Sequence, residues 1–115
     1  MRTPKPISER RRAVRVDAEL PIRVAHRGYE AEALTINFSN RGVYFYIDKE
    51  IPMMTKLDIG IRLPRSKKII RAKGVVVRKE KNETSGGYFI AAYFSDMKPA
   101  DRNTWEKFIQ SRVQP

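Results

Sequence analysis

Apolar and polar residues alternate along most of the chain with a period of two, which is typical of half-buried β-strands. The alternation is clearest over 57–63, where leucine or isoleucine occupies every second position and Pro64 follows. In the second run the pattern predicts Leu34, Ile36 and Phe38 on one face of a strand. Six such runs occur, over residues 20–24, 33–38, 43–47, 57–63, 69–77 and 88–94.

Turn residues separate these runs. Arg27-Gly28 predicts a tight turn, and the glycine-containing stretches 40–42 and 82–87 predict two more connections. Gly74 lies inside the fifth run, where a glycine indicates a bulge or bend.

The period changes near the C-terminus. Pro99 fits the first turn of a helix, and Trp105, Phe108 and Ile109 then follow at helical spacing. Six short strands and one helix predict an all-β dominated fold, a small six-stranded antiparallel barrel with a C-terminal α-helix. The 115 residues suit a single domain, with a flexible basic arm over 1–15, the barrel over 16–98 and the packed helix over 99–115.

Composition restricts the function. The net charge of +11 indicates an anionic partner. The chain has no cysteine and one histidine, which excludes disulfides, thiolate metal sites and His-based triads with cysteine. We find no catalytic carboxylate pair and no phosphate-binding loop, so we predict no enzyme, no metal and no cofactor. No apolar run is long enough for a membrane span, and the polar N-terminus lacks a secretory signal, so we expect a cytoplasmic protein.

Two constellations carry candidate chemistry. In the arm, Arg11 and Arg15 are four residues apart and Arg10 precedes them. Guanidinium groups match phosphate oxygens and the edge of guanine, and they stack on purine faces. A generic polycationic arm is the simpler interpretation of these arginines taken alone.

The second constellation lies at the end of the second strand. Asn37 and Ser39 are two apart and therefore share the face opposite Phe38. Their amide and hydroxyl are suited to reading a base edge, while Gly42 permits a positive φ and close approach of the backbone. A hairpin turn with polar residues facing water is the alternative.

Together the two motifs resemble those of the PilZ domain family. The chain carries Arg11-x-x-x-Arg15 ahead of the first strand and Asn37-x-Ser39-x-x-Gly42 at a strand end. Residues 73–78 are similar to the family's glycine-bearing strand, and 87–94 to its closing strand. Family members often have glycine where this chain has Ala91 or Ala92.

This resemblance implies a bacterial receptor for the second messenger cyclic di-GMP. By the family pattern, Arg11 and Arg15 hold phosphate and guanine, while Asn37, Ser39 and Gly42 shape the pocket. The arm would fold over the nucleotide and thereby signal to an unidentified downstream protein. In the family, a basic residue at the place of Arg10 accompanies binding of two stacked ligands, so we expect two molecules per chain.

Two other functions remain open at this point. A small basic barrel can bind RNA or single-stranded nucleic acid, with exposed tyrosines stacking bases and the stretch from Arg62 to Lys81 tracking the backbone. Alternatively, the chain is a PilZ-like adaptor that contacts only proteins. Because both motifs are intact, we favour the nucleotide receptor and do not expect a nucleic acid as the partner.

Overall fold

The structure is a computed structural model, which describes residues 14–113. It contains six strands and one helix in the predicted order. They are β1 (Pro21–His26), β2 (Tyr29–Ser39), β3 (Gly42–Ile47), β4 (Lys56–Arg62), β5 (Ile69–Lys81), β6 (Tyr88–Met97) and α1 (Pro99–Val113).

The strands form a closed antiparallel barrel with the order β1-β2-β3-β6-β5-β4. β1 closes it by pairing with β2 on one side and β4 on the other, so that Ile22 lies opposite both Ala33 and Ile61. β3 pairs with β6 and not with its chain neighbour β4. Closure leaves no strand edge unpaired within the barrel. The predicted six-stranded barrel with one C-terminal helix is therefore confirmed.

The core is almost entirely aliphatic and aromatic. Alternate residues of β1, β3 and β4 point inward, as the period-two pattern predicted. Among the largest fully buried side chains are Phe38, Phe45, Ile51, Ile61 and Trp105.

The predicted face of β2 is wrong. Thr35 pairs with Phe45 and Asn37 with Tyr44, so Ile36 is an extra residue that forms a β-bulge. The bulge reverses the alternation, which buries Thr35 and Phe38 and leaves Leu34 and Ile36 exposed.

The buried hydroxyl of Thr35 explains why this bulge is stable. Its Oγ1 accepts a hydrogen bond from the backbone N–H of Leu20 at 2.8 Å and donates one to the carbonyl of Ala18 at 2.7 Å. The N–H of Thr35 also donates to the carbonyl of Leu20 at 3.0 Å. A single buried polar side chain thus attaches the segment before β1 to β2.

We expect Thr35→Val to lower the free energy of unfolding by about 1–3 kcal/mol, because valine keeps the shape but leaves the buried N–H of Leu20 and the part-buried carbonyl of Ala18 without this partner. Urea denaturation measures the change. Thr55→Val is the matched control, since that hydroxyl only donates to the exposed carbonyl of Pro52, and it should cost below about 0.5 kcal/mol. Equal losses in the two variants would contradict this role of Thr35.

The register is also irregular beside Gly74, where a bend was predicted. Lys73 pairs with Asp96 and Gly74 with Phe94, so Ser95 of β6 is the extra residue. A Cβ at Gly74 would lie 2.8 Å from the side chain of Ile59, so close packing explains why glycine occupies this position.

The helix packs on the barrel through an aromatic cluster. The indole of Trp105 is fully buried and its ring lies 5.2 Å from that of Phe38, 6.1 Å from that of Phe94 and 5.8 Å from that of Phe108. Such ring distances are in the favourable range for aromatic pairs. The stripe predicted from the helical spacing is therefore the packing face. Within the described part of the chain, no helix has the length and apolar character that crossing a membrane requires.

Candidate functional site

The hairpin that joins β2 to β3 presents two predicted site residues on the outside of the barrel. Asn40 and Arg41 form its two-residue turn, and Ser39 pairs with Gly42. Phe38 is buried, so Asn37 and Ser39 share the outer face and are half-buried. The structure thus brings Asn37, Ser39 and Gly42 onto one patch of the barrel wall.

Ser39 is held in place by the turn and by the helix. Its Oγ accepts a hydrogen bond from the backbone N–H of Arg41 at 3.0 Å. Its carbonyl accepts one from Nε1 of Trp105, also at 3.0 Å. The hydroxyl retains its own hydrogen for donation to a ligand. Ser39 therefore stabilises the turn and also presents a preorganised donor on the outer face.

Gly42 allows the predicted close approach of the backbone, here between two strands, but does not have the positive φ. Among the described residues, the glycines with positive φ are Gly28 and Gly86, and Gly42 is not one of them. A Cβ at Gly42 would overlap the carbonyl oxygen of Ala92 on β6. Only glycine lets β3 and β6 approach so closely here.

The chain before β1 is fixed against the same hairpin. Val16 and Phe38 exchange two backbone hydrogen bonds, of 2.8 and 3.0 Å. The neighbouring Arg15 donates from Nη1 to Oδ1 of Asn37 at 3.4 Å. The last arginine of the first motif therefore lies beside the first residue of the second. Arg10 and Arg11 lie outside the described residues.

Aromatic side chains border this patch, and sequence reasoning did not assign them to it. Tyr93 lies opposite Gly42 in the β3–β6 register, and Tyr44 lies opposite Asn37 in the β2–β3 register. Tyr93 is 51% exposed, whereas the ring of Tyr44 stacks on Phe89 at 6.1 Å. The only sequence signal for their outward position was that the tyrosines alternate with the residues predicted to be buried. The place of Tyr93 beside the motifs depends on the pairing of β3 with β6, and that of Tyr44 on the pairing of β2 with β3.

We call the outer surface formed by Arg15, Asn37, Ser39, Tyr44 and Tyr93 the hairpin face. It offers an exposed guanidinium, an amide, a hydroxyl and two aromatic rings within one part of the barrel wall. Such a combination suits a planar, anionic ligand, because the rings accept a flat base and the guanidinium accepts phosphate.

The family model of the PilZ domain matches residues 9–111. This match covers most of the chain, so the chain belongs to the PilZ domain family. A comparison with curated protein sequences gave no match.

Solved structures share the fold. The Bacillus subtilis inhibitor of motility MotI/DgrA aligns with a TM-score of 0.75 and 22% identity over 88% of this chain and 50% of that one. The Escherichia coli YcgR PilZ domain with c-di-GMP gives 0.67 and 12%, over 90% and 91%. Apo MrkH of K. pneumonia gives 0.72 and 16%, over 98% and 53%. The chain thus spans about half the length of the Bacillus protein, and identities this low support the shared fold alone.

Proposed function

We propose that this PilZ domain is a receptor for cyclic di-GMP and that the nucleotide binds on the hairpin face. The proposed role is recognition of a ligand and not catalysis. One solved structure of the same fold, the PilZ domain of YcgR, is described as a complex with c-di-GMP, which supports this choice of ligand.

The contact between Arg15 and Asn37 is the observation that carries the proposal. The hydrogen bond of 3.4 Å joins two short motifs that are 22 residues apart in the sequence. The Val16–Phe38 bridge supports it from the backbone, so the arrangement does not depend on one flexible side chain. A phosphate and a guanine held by the same few residues would require this proximity.

In the proposed complex each residue type has its own task. Arg15, with Arg10 and Arg11 from the arm, would neutralise phosphate and hold guanine edges. Asn37 and Ser39 would read base edges, and the exposed ring of Tyr93 would offer a stacking surface beside them. The arm would become ordered over the nucleotide, and this change would alter the surface that a downstream protein recognises. Since the ligand is an intracellular messenger, such a receptor would act in the cytoplasm.

Calorimetric titration tests the ligand. We expect saturable binding of cyclic di-GMP, and much weaker binding of GTP, cyclic di-AMP and a short single-stranded RNA. Because nucleic-acid binding through phosphates weakens steeply with salt, repeating the titration at two salt concentrations identifies that alternative. Tight, salt-sensitive binding of RNA with no response to cyclic di-GMP would overturn the proposal.

We expect Asn37→Ala and Ser39→Ala to weaken binding and to reduce the preference for guanine over adenine. A good polar contact to a base edge contributes about 1–3 kcal/mol of discrimination. Paired titrations with cyclic di-GMP and cyclic di-AMP measure the preference. Asn103→Ala, an exposed asparagine on α1, is the matched control. If both hairpin variants keep the wild-type ratio of the two affinities, the bases are read elsewhere.

We expect two stacked ligands per chain in the wild type and one in Arg10→Leu. Two cyclic dinucleotides bring four phosphate charges together, so an additional cation is needed to offset their repulsion. Arginine can also lie flat on the outer guanine. Titration well above the dissociation constant gives the stoichiometry, and circular dichroism verifies the fold. Saturation of the wild type at one ligand per chain would refute this prediction while leaving the receptor proposal intact.

A further inference from the structure

A groove of about 1100 Å³ runs across the opposite wall of the barrel from the hairpin face. Its floor is the outer side of four neighbouring strands, the first part of β2 followed by β1, β4 and β5. Asp96 of β6, Lys98 and Asp101 of α1 line the edge next to β5. Strands lie about 4.8 Å apart, so three spacings give the groove a width of about 14 Å, which an extended segment of about 4–5 residues would cross. The nucleotide proposal makes no use of this surface.

The strand registers arrange the side chains of the groove in rows. In the middle row, Glu32 lies opposite Arg23, Arg23 opposite Gly60, and Gly60 opposite Arg71. Gly60 has no side chain, so the centre of the row is open between two arginines. A Cβ there would lie 3.4 Å from Ile69 and 4.0 Å from Nη1 of Arg71, so it would make ordinary van der Waals contacts without a clash.

The two ends of the groove differ in charge. At the end near His26 lies a row that contains Glu30, Asp58, Lys73 and Asp96. Here Lys73 already pairs with Asp58 at 2.9 Å, and this hydrogen bond and the carboxylate charge raise the pKa of Lys73. This end therefore has little free positive charge.

The other end, next to the β4–β5 turn, is basic. Within residues 14–113, its cations form no ion pair, whereas Arg23 is bound by two glutamates. These unpaired cations are Arg62, which lines the groove at this end, Arg71 in its middle row, and Arg65, Lys67 and Lys68 in the β4–β5 connection beside it. They belong to the basic stretch 62–81, whose charge exceeds what a cyclic dinucleotide requires.

Apolar side chains accompany these cations. Leu34 is 49% exposed and lies opposite Pro21, and Ile69 is 38% exposed and lies opposite Arg62. Exposed apolar residues around unpaired guanidinium groups are typical of protein-binding surfaces, where arginine is enriched and complementary charges at the polar rim add attraction.

We propose that this basic-apolar groove is a docking site for an acidic protein segment that also carries large apolar side chains. Carboxylates of the segment would pair with Arg62 and Arg71, and its apolar side chains would cover Leu34 and Ile69 in the space above Gly60. Charge complementarity fixes its direction, because the acidic end of the groove repels carboxylates and the basic end attracts them.

The same features disfavour a nucleic acid. A phosphate backbone carries charge along its whole length and would meet Glu30, Glu32 and Asp96 in the acidic half. In addition, no aromatic side chain lines the groove among the residues described, so bases would find no stacking surface. A lipid surface is flat and would not reach the floor at Gly60.

Selection from a displayed library of random peptides, about twelve residues long, tests the proposal on the whole chain. The library is first depleted on the Gly60→Leu variant, whose new side chain fills the groove, and is then selected on the wild type. We expect enrichment of sequences that combine aspartate or glutamate with leucine, isoleucine or phenylalanine. Enrichment of basic or purely polar sequences, or none beyond the depleted library, would overturn the proposal.

Affinity and mapping measurements complete the test. For a selected peptide we expect the double variant Arg62→Glu/Arg71→Glu to weaken binding at least about tenfold, and Lys107→Glu on α1 to leave it unchanged. Amide shifts in a ¹⁵N-labelled protein should move around Gly60, Arg62 and Ile69. The double variant keeps the test valid if Gly60→Leu does not fold. Equal losses in both charge variants, or tighter binding of oligothymidine or anionic phosphatidylglycerol vesicles at these residues, would contradict a protein partner.

The peptide experiments test the groove independently of the proposal that the hairpin face binds cyclic di-GMP. The groove and the hairpin face lie on opposite walls of the barrel, so a failed peptide selection and a failed cyclic di-GMP titration have separate consequences. If the receptor proposal also holds, the two sites would give one small domain a ligand surface and a partner surface.

Discussion

Trp105→Ala is expected to lower the free energy of unfolding by about 3–5 kcal/mol, which is the range for removing a fully buried large aromatic side chain. The indole is completely inaccessible to solvent and contacts three other aromatic rings. The alanine variant would also leave the carbonyl of Ser39 without its Nε1 donor. Urea denaturation followed by circular dichroism measures the loss.

Two further variants separate the causes of this effect. Trp105→Phe retains a ring and removes the hydrogen bond to Ser39, so we expect a smaller loss of stability. Glu106→Ala changes an exposed neighbour whose ion pair with Arg102 is 3.9 Å long and should have almost no effect. A Trp105→Ala protein as stable as the Glu106→Ala protein would contradict the packing role of the helix.

The Ser39 hydrogen bond links the helix to the hairpin face. Because the indole donates to the backbone of a proposed ligand-binding residue, we expect Trp105→Phe to weaken cyclic di-GMP binding slightly even where the protein remains folded. Titration at a temperature well below the unfolding transition excludes a contribution from unfolded protein.

Arg15→Ala is expected to reduce the affinity for cyclic di-GMP by about ten- to a hundredfold with little change in stability. A bidentate contact of a guanidinium to a guanine edge contributes about 1–3 kcal/mol, and the side chain itself is exposed, so its loss opens no cavity. Arg11→Ala is expected to have a similar effect through the arm. Calorimetric titration measures both.

The controls for this prediction distinguish the effect of the position of Arg15 from the effect of its charge. Arg71→Ala removes the same residue type from the opposite wall, and we expect its nucleotide affinity to be close to that of the wild type. Arg15→Lys keeps the charge but loses the planar pair of donors, so it should recover only part of the binding. If Arg71→Ala weakens binding as much as Arg15→Ala, the arginines act only through net charge, and the assignment of Arg15 fails.

Much of the fold was predictable because local patterns and global packing agree here. In β3 and β4, and in β1 as far as Val24, every second residue is apolar and buried, so the strand period alone defined the inward face. The glycine-rich turns and the change to helical spacing around Trp105 similarly marked where elements end and begin.

The prediction of the inward face of β2 failed because tertiary hydrogen bonds there outweigh the hydrophobic pattern of the sequence. Leu34 and Ile36 looked like core residues, but the bulge at Ile36 directs the hydroxyl of Thr35 inward instead. The cost of burying that hydroxyl is offset by its bonds to Ala18 and Leu20, residues some 15 positions away in the chain. No local pattern contains such a partner.

The sequence by itself determined the two motifs, the polar residues that they bring to the hairpin face and the family to which the chain belongs, because these depend on residue types and short spacings. Only the tertiary structure decided which residues meet. The pairing of β3 with β6 brings Tyr93 to Gly42, and the Val16–Phe38 bridge brings Arg15 to Asn37. The pairing of β1 with β4 closes the barrel and places the basic-apolar groove on the wall opposite that face. Each of these contacts joins segments that are distant in the sequence. The contacts follow from strand order and register, and burial of the whole core sets both.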